Sequence, residues 1–145
     1  MKELKFRAWD KSHKEMAVVK SLKGLASGHF TYARLVYKAR GAMDVPIEYL
    51  EIMQFTGLKD KNGKEIYEGD VCKVDNTNSI PTHPEVMVVE WWSGQFVFNA
   101  HRYDDIPNAD DYINFGWWVR SNDHQTTLKQ IEVIGNIYEN PELAL

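Results

Sequence analysis

Two pairs of adjacent carboxylates, Asp104-Asp105 and Asp110-Asp111, are the residues of this 145-residue chain best suited by type to do chemistry. Paired carboxylates can divide acid and base roles when burial or repulsion separates their pKa values, and their oxygens can hold a hard cation. All four stand in HRYDDIPNADDYIN, residues 101–114, beside Pro107 and Asn108, where no sequence feature would desolvate them. They read as solvated loop acids, and no EF-hand spacing or glycine pivot accompanies them. The five histidines, His13, His29, His83, His101 and His124, are scattered without the paired spacing of a zinc site. The single thiol, Cys72, lies in an apolar strand pattern, where cysteine behaves as an inert hydrophobe. Ser93 stands in W-S-G rather than G-x-S-x-G, and the glycines assemble no phosphate-binding loop. The expectation is a protein with no catalytic residue, no metal and no cofactor.

Binding chemistry has better material. The doublets Trp91-Trp92 and Trp117-Trp118 sit in strand patterns, where neighbours point to opposite faces, so each doublet should send one indole inward and one outward. An outward indole could stack a base or anchor a protein contact; if both faces are covered, all four are structural. Charge divides the chain as well. Residues 1–40 hold ten bases against three acids, a net +7, and residues 41–145 hold seven against eighteen, a net −11. Such asymmetry points to nucleic acid, to an acidic partner, or simply to solvated faces. Arg7, Trp9, Arg34 and Arg40, with the four tryptophans of the doublets, form the candidate interaction surface. The basic residues are expected to face acids across an interface between copies. A nucleic-acid surface is the alternative, with Phe6, Phe30, Tyr32 and Tyr37 interleaved among the bases.

The elements that must position these residues are mostly strands. LKFRAW alternates, EMAVVKSL is a return strand after the polar turn Asp10–Lys14, and HFTYARLVYK is a third, rich in β-branched and aromatic residues. IEYLEIMQF after Pro46 permits a short helix, but its alternation favours strand. In TGLKDKNGKEIYEGDV, Asn62-Gly63 predicts a two-residue type I′ hairpin, and Gly69-Asp70 a second bend into the strand VCKV. VMVVEW and QFVFNA flank a Ser93-Gly94 turn, and LKQIEVIGNIYE completes the pattern before a short C-terminal turn at Asn140-Pro141. Close-spaced strands with glycine and asparagine turns point to a small barrel or curled sheet.

KFRAWD (residues 5–10), MQFTGLKDKNGKEIYEGDV (53–71) and IEVIGNIYENPEL (131–143) together resemble the YopX family of phage and prophage proteins. The three blocks occur in the family's order and span nearly the whole chain; none of them covers the stretch between about 76 and 127. It implies an SH3-like small barrel for the C-terminal part and a bacterial cytoplasm in a phage or prophage setting. It brings no catalytic residue, cofactor or activity. Cys72 departs from the pattern, standing where an aliphatic residue is expected.

The fold expected is therefore mainly β, with an N-terminal basic β region (1–50) packed on an SH3-like barrel domain (51–145), the latter interrupted by a variable acidic loop region about 76–127. With 43% hydrophobic and 26% charged residues, one cysteine and no apolar run near the roughly 20 residues of a membrane span, the composition fits a cytoplasmic protein without membrane contact. The function expected is non-enzymatic: an accessory protein that contacts an unidentified phage or host protein and forms a homo-oligomer.

Overall fold

The computed structural model describes residues 3–74, 86–92, 94–99, 112–114 and 130–144. It is mainly β, built of two antiparallel sheets, and divides into two compact units, Met1–Phe55 and Thr56–Leu145.

In the first unit, β1 (Phe6–Asp10), β2 (Glu15–Gly24), β3 (Phe30–Tyr37) and β4 (Gly41–Pro46) follow as a meander, and β5 (Leu50–Lys59) returns along β1. One face carries the core. Ala8, Ala17, Ala33, Leu35, Tyr37, Val45 and Leu50 are buried together, with Val19, Leu22 and Ile52 against them. Period-two alternation puts these residues on one side of every strand, so a slip of one residue would expose all of them. Arg34 and Tyr32 of β3 and Lys23 of β2 occupy the other side, in exposed positions. The extra residue of a β2 bulge between Val19 and Ser21 is Lys20.

Tyr112–Asn114, expected within the acidic loop, is a strand, and two elements of the first unit also differ from the sequence reading. Ile47–Tyr49 is a 3-10 turn, closed by the Leu50 N–H donating to the Ile47 carbonyl, so the strand begins only at Leu50. Pro46 supplies the extended entry to that turn, with φ −59° and ψ 139°. The other is β4, whose Gly, Ala, Asp and Pro are poor strand formers; cross-strand pairing with β3 along its full length holds it extended.

The far half of β5 runs into the second unit, where β6 (Glu65–Tyr67) is its neighbour. The second sheet is ordered β10-β9-β8-β7-β11, from β7 (Asp70–Val74), β8 (Val86–Trp92), β9 (Gln95–Asn99), β10 (Tyr112–Asn114) and β11 (Ile131–Asn136). Its inner strand β7, between β8 and β11, is covered on both sides. Cys72, Val74, Met87, Val89, Phe98 and Ile131 pack on one face with Ile66, and Val71 and Val88 pack on the other with Ala144 of the C-terminal 3-10 turn Pro141–Ala144. A strand buried on both faces reads as a continuous apolar run, which is why DVCKV and VMVV lack clean alternation.

The β5–β6 loop is not the two-residue type I′ turn. Only Gly63 has positive φ, +78°, and Asn62 does not. The Gly63 N–H donates to the Asp60 carbonyl at 3.0 Å, and the Asp60 N–H to the Lys64 carbonyl at 2.8 Å. The result is a three-residue loop in which the glycine after the turn takes the left-handed conformation. Gly69, with φ +80°, immediately precedes β7, its N–H on the Val89 carbonyl and its carbonyl receiving the Ile137 N–H. Gly63→Val meets open space, so its cost is backbone strain alone. It should lower the second unit's stability by about 1 kcal/mol or more, read as a reduced denaturant midpoint with an unchanged slope.

Candidate interaction surface and buried polar nodes

The basic residues proposed to meet another copy already have partners in their own unit. Arg34 lies 3.3 Å from Asp44 across the β3–β4 pair, and Lys23 reaches the same carboxylate at 3.6 Å. Arg40 donates through Nε to Glu15 at 2.9 Å, and Lys11 approaches Glu51 at 3.3 Å. These pairs are largely exposed and worth about 0–1 kcal/mol each. Once Asp44, Glu48 and Glu51 are counted, residues 1–55 carry ten bases against six acids, a net +4. Arg7 and Trp9 are half-buried on β1, opposite Met53 and Glu51 of β5.

Trp91 is exposed, at 46%, and its ring meets Phe96 edge-to-face at 4.8 Å across the β8–β9 pair. The side chain of Trp92 lies outside the described residues, as do Trp117-Trp118 and the acids Asp104, Asp105, Asp110 and Asp111. In the first unit Leu25, Phe30 and Tyr32 are exposed at 64%, 55% and 47%. Tyr37, grouped with them by sequence, is instead a core residue.

Sequence reasoning missed the buried polar residues. Asp10, Asp60, Asp70 and Asn136 are all buried, and each stands at or next to a strand end. Asp10 Oδ1 accepts the N–H groups of Ser12 and His13 at 2.8 and 3.2 Å. Asp60 Oδ1 accepts those of Asn62 and Lys64 at 2.8 and 2.9 Å, while its Oδ2 takes the Val133 N–H at 2.9 Å. Asp70 accepts from the Tyr67 N–H at 2.8 Å, and Asn136 Oδ1 from Tyr138 and Glu139 at 3.1 and 2.9 Å. The shared device is a short side chain that turns inward and satisfies the loop's own donors. The available signal was an Asp or Asn at a strand end with a turn behind it.

Asp10 is the node that most resembles catalytic machinery. Its Oδ2 accepts the Tyr37 hydroxyl and, at 2.7 Å, the His13 Nδ1–H, and the His13 ring sits edge-on to Tyr37. Burial by itself would raise the Asp10 carboxyl, but the hydrogen bonds from Tyr37, from the His13 ring and from the two N–H groups outweigh it and hold it below the ordinary 3.8. Burial, then the Asp10 hydrogen bond and charge, push the Tyr37 hydroxyl well above its ordinary 10.0. Both carboxylate oxygens are engaged in holding the β1–β2 turn to β3. The arrangement fixes His13 rather than activating a nucleophile. Among the described residues no group of three or more His, Cys, Asp or Glu side chains is arranged to hold a metal, and no helix is long and apolar enough to cross a membrane.

Comparison with known proteins places these observations in a lineage. The family model described as "YopX protein" matches residues 5–144. Among solved structures, the crystal structure of protein EF1440 from Enterococcus faecalis is similar over 100% of both chains, with a TM-score of 0.62 and 25% identity. Its description names no activity or ligand. No curated protein matches the chain.

Proposed function

This chain belongs to the YopX family, and from that premise we propose that it is a non-enzymatic phage or prophage accessory protein acting through protein contacts, self-association among them. The observation that carries this reading is the group of large apolar side chains left in water, among them Leu4, Val18, Leu25, Phe30, Tyr32 and Tyr49 in the first unit and Trp91 in the second. Aromatic side chains of this kind supply most of the adhesion in protein interfaces, while rim charges set approach and register. The bacterial cytoplasm is the proposed setting, and an SH3-like small barrel the proposed class of the second unit.

A basic track for nucleic acid has less support. Asp44, Glu15 and Glu51 hold Arg34, Lys23, Arg40 and Lys11 within the unit, and the chain as a whole is acidic, at −4. Light scattering across protein concentration and salt tests the reading. The expected result is a multiple of the 16.8 kDa chain mass that partly dissociates at high salt. A monodisperse monomer under every condition would sink it, and retention on single- or double-stranded DNA or RNA would then point to the nucleic-acid alternative.

A further inference from the structure

We infer that Asn62 is a site of self-modification, losing its side-chain amide to attack by the Gly63 nitrogen at a rate set by how often the β5–β6 turn opens. The reaction needs a main-chain nitrogen that can approach the asparagine Cγ, and a side chain on the following residue crowds that approach. Asn62 is the one asparagine of the chain followed by glycine. Every residue from Lys61 to Lys64 is exposed, so water reaches the site. Gly63 is required by its φ of +78° and not by packing, since a Cβ there would meet open space.

The chemistry uses only the chain and water. The Gly63 nitrogen bonds to the Asn62 Cγ, the Cγ–Nδ2 bond breaks, and the amide proton leaves with ammonia, giving a cyclic imide. Water then adds to either imide carbonyl. One opening leaves aspartate at position 62; the other leaves isoaspartate, with the main chain routed through the former side chain.

The closed turn restrains both reacting groups. The Gly63 N–H is engaged by the Asp60 carbonyl at 3.0 Å, which holds the nucleophile on another acceptor. The Asn62 N–H donates to Asp60 Oδ1 at 2.8 Å, which fixes the backbone that carries the amide. The amide itself hydrogen-bonds to Glu132, which also takes the Lys61 ammonium at 2.8 Å. Asp60 supplies two of these restraints, and its Oδ2 is anchored on the buried Val133 N–H at 2.9 Å. Cyclisation therefore proceeds from the opened turn, and Asp60 sets how rarely that state is visited. The change is one-way. Isoaspartate adds a carbon to the main chain of a loop whose ends are joined by the Asp60 N–H on the Lys64 carbonyl at 2.8 Å. Either product sets a carboxylate where an amide donated to Glu132, so repulsion replaces a hydrogen bond and the turn closes less well.

Peptide mapping by mass spectrometry tests this on the full chain, incubated at mildly alkaline pH in heavy-oxygen water. The peptide containing residue 62 should exchange its amide for a heavy-labelled carboxylate, with isoaspartate the larger product. Conversion should be at least about ten-fold slower in the folded protein than in the urea-unfolded chain, and Asp60→Asn should recover most of that factor. Glu132→Gln, a surface change that leaves Asp60 in place, should speed conversion about two-fold, and serves if Asp60→Asn fails to fold. In urea, where the fold has no say, Gly63→Ala should be at least about ten-fold slower than wild type, identifying the glycine nitrogen as the nucleophile. Equal rates in folded and unfolded protein, Asn62 left intact in the folded protein long after the unfolded chain has converted, or wild-type rates in both variants would each overturn the inference.

Discussion

Asp60→Ala should lower the stability of the second unit by about 3–5 kcal/mol. The carboxylate accepts three N–H groups, from Asn62, Lys64 and Val133. The first two belong to exposed residues and can be rehydrated, but Val133 is buried in β11, and its amide would be left without an acceptor. The loop would also lose its attachment to β11, where the Lys61 N–H donates to the Ile131 carbonyl at 2.9 Å. Since a domain's net stability is only about 5–15 kcal/mol, the loss is a large fraction of the whole. Urea titration followed by Trp fluorescence checks it. Asp60→Asn keeps one acceptor but turns an amide donor toward other donors, so about half the effect remains.

Tyr37→Phe should cost the first unit about 1.5–3 kcal/mol at neutral pH, because it removes a buried hydrogen bond to a charged acceptor. The pH dependence identifies the cause. The Asp10 carboxyl is depressed in the fold, so its contribution is present above the ordinary 3.8 and is lost as pH falls through the lower folded value. The Tyr37 hydroxyl is raised, so its contribution is full below 10.0 and is lost as pH rises through the higher folded value. Wild type minus variant should therefore be flat between about pH 4 and 10 and shrink on both sides. Thermal melts carried below about pH 4 and above about pH 10 decide the matter. A difference independent of pH would mean that Tyr37 acts through packing alone.

The sequence carried the strand inventory where alternation was strong, as in KFRAW and FTYARLVY, because one buried face per strand leaves a period of two. It failed at β4, whose residues have no strand preference of their own and are extended by β3. The Asn62-Gly63 turn was located but given the wrong type, because Asn tolerates positive φ without requiring it. The buried acids were hidden for a deeper reason. Asp60 is buried because Val133, 73 residues away, points an amide at it, and no local pattern encodes that partner. At the candidate surface, strand alternation places Trp91 on the same side as the fully buried Val89, so its exposure follows from its place at the end of β8 and not from its parity.

The position of Cys72 gives the protein an internal clock. Its side chain has no solvent exposure and faces Ile66, Met87 and Phe98 across the larger core of the second unit. A thiol so placed cannot meet an alkylating reagent until that core parts, and it is the only thiol on the chain. The rate of its modification in undenatured protein is then a direct count of opening events in one unit, indifferent to opening elsewhere on the chain. When reagent outpaces reclosure the count gives the opening rate; when reclosure is faster it gives the free energy of opening. The departure from an aliphatic side chain at this position thus leaves the core dry while making its breathing chemically legible.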